Sequence, residues 1–336
     1  MSYYFQKLFP NVDGAAFSNS FNIMVISEGY TSAEQGQFYQ DAVNLWFKLM
    51  EFYPLSISAN RAINISLYAL FQASTNHGYA PSGPPTSGRT LFDSYYDSTN
   101  HKLIFDTTLV DTFLDNCFVT EDSTNYPVNS RLFKGTITAS MYSTLVFVLL
   151  PASSTTSAEV EVIDTNHYYF IASSYDGYCE QILARTFGRL IGLGDEFELA
   201  GTNYAEPPLT PTPLGPVLNV TYPNLYYLYN STTPPNPTTD TNFKWRNYFV
   251  NTYNTTLTMH PHTTGSLPDT SIPTVNVNYD SIQLWEGGGS YRGKVYRSAK
   301  DCLMRRQVGN VSLPTKALRV NFCPVCTKFL KDLLTN

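Results

Sequence analysis

Apolar runs of strand length recur along the first half of the chain, separated by stretches whose apolar residues return at helical spacing. Phe21 to Ser27 (FNIMVIS) is rich in Ile and Val and predicts a strand. It ends at the turn Glu28-Gly29-Tyr30, after which Thr31-Ser32-Ala33-Glu34 has the form of a capping box. A helix is predicted from there to about Phe52, with Phe38, Val43, Leu45, Trp46, Leu49 and Met50 as its apolar stripe and Pro54 as its stop. Ile63 to Phe71 alternates like a strand, and Ser74 to Arg89 is a loop rich in Gly, Pro and Ser. A short strand (Lys102 to Asp106), a short helix (Thr108 to Asn116), a buried strand (Thr144 to Leu150) and a strand near Tyr168 to Ala172 follow. Alternation of this kind predicts an open mixed sheet with helices packed on it.

The second long helix is predicted over Tyr178 to Leu193 (YCEQILARTFGRLIGL). Ile182, Leu183, Phe187, Leu190 and Ile191 lie along one side, Gly192 and Gly194 end it, and Asp195-Glu196 stand just beyond. From Ala200 to about Asn242 the chain is dense in Pro, Thr and Asn, which predicts a long irregular excursion. The expected organisation is one domain over residues 1–336. Residues 1–199 form an N-terminal subdomain that carries the second helix, and residues 200–336 a C-terminal one. No linker separates two independent cores.

Composition narrows the function classes. Apolar residues make up 43% and charged residues 14%, with 25 tyrosines, so hydroxyls and amides replace much of the usual surface charge. That balance suits a secreted or cell-surface protein. A net charge of -6 with no Lys/Arg run excludes a nucleic-acid partner. The TLVFVLL run is far short of the ~20 residues of a membrane helix. MSYYFQKLFP has no basic start followed by an apolar run, so no signal peptide is read in it. Sequons at Asn64, Asn219, Asn230, Asn254 and Asn310 make glycosylation a possibility, although about five are expected by chance in a chain this rich in Asn, Ser and Thr.

The C-terminal third carries an ordered set of short motifs: Glu286-Gly287-Gly288-Gly289, then Val295-Tyr296-Arg297, Asp301-Cys302-Leu303-Met304-Arg305, and Phe322-Cys323-Pro324-Val325-Cys326. The set resembles the IgA-peptidase-type zinc metallopeptidases, family M64, whose pattern is EGxGYxxxxxYRPxxxCxMR followed by FCPVC. Glu28-Gly29-Tyr30-Thr31-Ser32-Ala33-Glu34 is similar to the family's GDGYTxxE segment, and Phe243-Lys244-Trp245-Arg246 to its KW segment. The resemblance spans about residues 21 to 330. It implies an α+β, zincin-like metallopeptidase fold, with a twisted, mostly parallel sheet, the 32–52 and 178–193 helices packed on it, and an irregular C-terminal subdomain.

In that family the helix corresponding to 178–193 carries HExxHxxxxxxDEY. Setting Asp195-Glu196-Phe197 against DEY needs no gap and places Ala184 and Gly188 at the two histidines and Arg185 at the glutamate. Two histidines at i and i+4 can reach one zinc from one helix face, and the intervening Glu takes a proton from the zinc-bound water. Ala and Gly have no ligand atoms, and Arg stays protonated. The resemblance therefore implies a retained acidic pair, Asp195 and Glu196, no catalytic residues, and no zinc. Arg185 is expected to stand in for the metal's charge and pair with Asp195 or Glu196.

Two function classes follow. In the first, the chain is an inactive peptidase homologue that binds a protein or glycoprotein partner, or assembles with itself, outside the cell. In the second it is an active secreted metallopeptidase with a rebuilt metal site, for which His260 and His262 are the available imidazoles. Of the five cysteines, Cys302 is expected to form a disulfide with Cys323 or Cys326, because a four-Cys zinc site would need a second CxxC.

Overall fold

The computed structural model describes residues 4–9, 21–52, 55, 65–80, 83, 88–97, 102–121, 124–127, 143–151, 159–163, 168–173, 184–185, 187–188, 193–194, 223–227, 245, 259–260, 284–288, 291–299, 302–305 and 322–335. The chain divides into two compact units. One holds residues 1–134, 138–190 and 308–316, the other 135–137, 191–307 and 317–336.

The first unit is built on a six-stranded sheet of β1 (Tyr4–Phe9), β2 (Phe21–Ser27), β3 (Ile65–Phe71), β8 (Ser143–Leu150), β9 (Glu159–Ile163) and β10 (Tyr168–Ser173). Their spatial order is β1-β3-β2-β8-β10-β9. The four central strands are mutually parallel, and β1 and β9 are antiparallel edges. The sheet is therefore mostly parallel, as expected, with two antiparallel borders that the apolar pattern did not predict.

Ile23, Met24, Val25 and Ile26 of β2 are all buried. Neighbouring strand residues point to opposite faces, so both faces of this central strand are covered and its sequence reads as a continuous apolar run. Met24 and Ile26 join Tyr68, Leu70, Val148, Phe92, Phe105, Val110, Phe113, Leu114 and Cys117 in one cluster, which brings α2 (Thr107–Asp115) onto that face. The opposite face meets α1 (Gln35–Leu49), where Phe38 lies 5.7 Å from Phe71 between ring centroids. Right-handed crossovers account for the split. The chain steps from β2 through α1 to β3, then returns past β2 by way of α2 to β8, so the two helices fall on opposite faces. Small two-stranded pairs, β4 (Tyr95–Asp97) with β5 (Lys102–Ile104) and β6 (Phe118–Glu121) with β7 (Thr124–Pro127), complete this unit's described strands.

Caps set the helix starts. The Thr31–Glu34 capping box forms, and a 3-10 turn over Ser32–Glu34 leads into α1. The Glu34 carboxylate accepts from the Thr31 amide and hydroxyl, each at 2.8 Å. The buried stripe of α1 is Phe38, Ala42, Leu45, Trp46 and Leu49, so Ala42 takes the inward place assigned to Val43. Asp106 caps α2 by accepting from the amides of Thr108 and Leu109.

In the second unit a four-stranded sheet runs β11-β14-β13-β12: β11 (Leu225–Tyr227), β12 (Met259–His260), β13 (Leu284–Gly288) and β14 (Tyr291–Arg297). Gly287 and Gly288 belong to the β13–β14 hairpin, whose register shifts between Glu286 and Gly288. The excursion expected from 200 to 242 contains the strand β11. A 3-10 turn (Leu303–Arg305) and α3 (Pro324–Thr335) close the chain.

Candidate functional site

Parallel strands deliver their loops at the sheet's C-terminal edge, where β2 and β8 end side by side. There the Glu28 amide donates to the Leu149 carbonyl at 2.9 Å. The Glu28 side chain is fully buried and accepts from the amides of Phe92 at 2.9 Å and Ser94 at 3.3 Å. Burial raises its pKa against the opposing hydrogen bonds of Ser94, Thr90 and Phe92. Glu28 is thus a clamp that ties the end of β2 to a segment more than sixty residues away. Gly29, at φ +71°, takes the left-handed conformation and donates its amide to Ser74 Oγ at 3.0 Å. The amide of Gly78 in turn donates to the Gly29 carbonyl at 2.8 Å. Tyr30 is buried and its hydroxyl donates to Asp41 at 2.8 Å.

Next to this clamp His77 Nδ1 lies 2.6 Å from Glu34, with the imidazole 56% exposed. Burial opposes ionisation of Glu34, but the hydrogen bonds from Thr31 and the adjacent His77 hold its pKa below the usual carboxylate value. His77 is accounted for as this surface partner. His260, one of the two imidazoles available to a rebuilt metal site, sits in β12, in register with Trp285. His101, His167 and His262 lie outside the described residues.

Of the helix expected over 178–193, Ala184, Arg185, Phe187, Gly188 and Leu193 are described; all five are buried, the first four are helical, and Leu193 is not. Ala184 and Gly188 stand four residues apart, so they share a helix face. Arg185 is only 3% exposed. The implied zinc does not fit these residues: Ala184, Phe187 and Gly188 carry no donor atom, and the Arg185 guanidinium is a permanent cation.

Gly194, at the expected glycine turn, is buried, and the Asn224 side chain grips its peptide groups from both sides. The Gly194 amide donates to Asn224 Oδ1 at 2.8 Å, and Asn224 Nδ2 donates to the Gly194 carbonyl at 2.7 Å. Sequence reasoning missed Asn224, because a polar residue in a stretch dense in Pro, Thr and Asn carries no periodic signal. Asp195, Glu196 and the expected Arg185 pairing with them lie outside the described residues. So do all five sequons, at Asn64, Asn219, Asn230, Asn254 and Asn310.

Cys302, Cys323 and Cys326 are brought together, all three buried, with their sulfurs within 4.8 Å of one another. No disulfide joins them. Cys302 Sγ donates to Cys326 Sγ at 3.8 Å, a contact distance far beyond the ~2.05 Å of a disulfide. Where a disulfide from Cys302 to Cys323 or Cys326 is expected, the structure places a three-thiol cluster. Burial pushes the Cys326 thiol up. Burial also opposes ionisation of Cys323, but hydrogen bonds from Cys302, Cys326 and Ser298 outweigh it and bring that thiol down. Cys117, in the α2-side core, is pushed up to about 12 by burial and behaves as a small apolar residue.

The architecture is that of an α+β protein with a mixed sheet. Residues 11–334 match the family model of IgA Peptidase M64, nearly the whole chain, and the chain belongs to that family. Membership implies a metallopeptidase fold. No curated protein matches the chain. Among the described residues no helix is long and apolar enough to cross a membrane.

Proposed function

We propose that this chain is a catalytically silent M64 family member, which keeps a zincin-like peptidase scaffold and uses it to bind a protein or glycoprotein, or to assemble with itself, outside the cell. The observation that carries the reading is the buried helical turn at Ala184, Arg185 and Gly188. In the family motif those positions hold two zinc-binding imidazoles and the general base. Here one helix face carries Ala and Gly, and the residue between them is a buried cation. A zinc-bound water needs several donor side chains on the metal, and this turn supplies none. Arg185 instead holds a fixed positive charge where the family places a carboxylate. The composition supports a binding role: with 14% charged residues and 25 tyrosines, the chain is rich in groups that make contacts through aromatic rings and hydroxyls.

The test is hydrolysis. The purified chain, supplied with Zn2+, should leave casein, mucin and immunoglobulin A uncut. Cleavage that a chelator abolishes and added zinc restores would overturn the proposal in favour of a peptidase with a rebuilt site. Native mass measurement and electron microscopy then distinguish self-assembly from a monomeric binding module.

A further inference from the structure

The three-thiol cluster is unlike an ordinary buried cysteine. Cys302 comes from the segment entering the Leu303–Arg305 turn, and Cys323 and Cys326 flank the first turn of α3. Residues three apart on a helix turn sit on one side, so the Cys323-Pro-Val-Cys326 spacing aims both sulfurs at the same point. Cys302 completes the triangle, and no sulfur is accessible to solvent. Around it the donors point inward. The Cys323 amide donates to Cys302 Sγ at 3.2 Å, and Ser298 Oγ lies 3.4 Å from Cys323 Sγ.

We propose that Cys302, Cys323 and Cys326 form a structural site for a soft divalent cation of the zinc class. The spacing is the first argument. A Zn–S bond of about 2.3 Å in tetrahedral geometry sets neighbouring sulfurs about 3.8 Å apart, and Cys302 and Cys326 are 3.8 Å apart. The donors are the second. A backbone N–H directed at sulfur stabilises a thiolate, a hydroxyl beside sulfur is able to donate to one, and the positive N-terminal end of α3, a twelve-residue helix, adds to both. The third argument is the count. A disulfide would use two of these sulfurs, would require an oxidant, and would leave the third thiol buried beside the bond.

Binding needs no change of oxidation state. Zn2+ displaces up to three thiol protons to solvent, three S–Zn bonds form, and the fourth position goes to water or to a donor outside the described residues. The role is to fasten α3 to the segment that follows β14, within the second unit. Metal affinity is thereby coupled to the folding of that unit.

The experiment uses the full chain, purified under reducing conditions without chelator. Elemental analysis should find about one zinc per chain. The metal-stripped protein loaded with Co2+ should show sulfur-to-cobalt charge-transfer absorption, which imidazole and carboxylate ligands do not produce. Cys302→Ser, Cys323→Ser and Cys326→Ser should each lose the metal, and Cys117→Ser should keep it. Because a variant can fail for want of folding, the cobalt spectrum of the unmutated chain decides independently. Zinc-free protein that gives no charge-transfer band on Co2+ addition overturns the proposal, whether its thiols are free or paired. So does zinc whose cobalt derivative lacks that band. The cobalt spectrum reports thiolate ligation alone, and peptidase activity is read separately by casein or mucin cleavage.

Discussion

Gly29 and Gly78 form a matched pair for an energetic test. Both take left-handed backbone, at φ +71° and +67°, and the Gly78 amide donates to the Gly29 carbonyl at 2.8 Å. Their surroundings differ. A Cβ added at Gly29 would lie 2.6 Å from the Gly78 carbonyl oxygen, 2.9 Å from its carbon and 3.0 Å from its Cα, whereas one at Gly78 would meet nothing within 4 Å. Alanine at either position carries a left-handed penalty of about 1–2 kcal/mol. At Gly29 the obstructing atoms are backbone and cannot swing aside, so the strand end and the 74–78 segment must part. Overpacking of this kind costs about 1–3 kcal/mol, and the hydrogen bonds to Gly78 and Ser74 are strained as well. Gly29→Ala should therefore cost about 3–5 kcal/mol and Gly78→Ala about 1–2 kcal/mol. Urea denaturation followed by fluorescence gives the midpoint shifts, and amide exchange over residues 27–31 and 74–80 locates the loss. Equal costs for the two substitutions, within about 0.5 kcal/mol, would refute the steric argument.

Three further outcomes follow from the buried polar groups. Glu28 has a folded pKa above its ordinary value, so its contribution to stability is full below pH 4.5 and declines as pH rises through the folded value. Glu28→Gln should remove that decline, and denaturation profiles of the two proteins that stay parallel between pH 4 and 8 would contradict the assignment. Arg185→Ala should destabilise by about 3–5 kcal/mol, the cost of stripping a buried charge from its surroundings; a loss under about 1 kcal/mol in urea denaturation would show that the guanidinium reaches water. Asn224→Ala removes both hydrogen bonds to Gly194 and leaves an amide and a carbonyl buried, for about 2–4 kcal/mol from two unsatisfied groups. Asn224→Asp keeps the acceptor but sets a carboxylate oxygen against the buried Gly194 carbonyl, so its cost, read in the same assay, should be no smaller than that of Asn224→Ala.

What could be read from the sequence was what neighbouring residues decide. The Thr31–Glu34 capping box, the continuous apolar run of β2 and the central strand β8 all follow from patterns shorter than twenty residues, and all are present. The misses depend on partners distant in the chain. β1 pairs with β3 some sixty residues on, and its sequence, YFQKLF, lacks the full apolar run of a strand covered on both faces. Glu28 reads as a turn acid until the amides of Phe92 and Ser94 are brought to it. Asn224 reads as polar excursion until Gly194 is found in its grip. The cysteines show the limit most clearly. Counting motifs favoured a pair, because one CxxC and a single distant cysteine do not spell a four-ligand site, whereas folding the second unit makes three sulfurs converge.

The same contrast bears on the proposal that this chain carries a peptidase family's signature without its zinc ligands. Glu28, Tyr30, Trp245, Arg297, Cys302, Met304, Phe322, Cys323 and Cys326 belong to the motifs that resemble the family, and every one of them is 1% exposed or less. These side chains secure a turn, fill a core or meet at the thiol cluster, and removal of such groups costs several kcal/mol by cavity or unpaired-polar mechanisms. The catalytic histidines and glutamate of a zincin answer to the metal and the substrate, so the replacement by Ala184, Gly188 and Arg185 that the proposal implies would change the chemistry while leaving an amphipathic helix able to pack. On that proposal, scaffold and catalysis are separable. The family match over residues 11–334 reports the scaffold, and the buried turn at 184–188 bears on the chemistry.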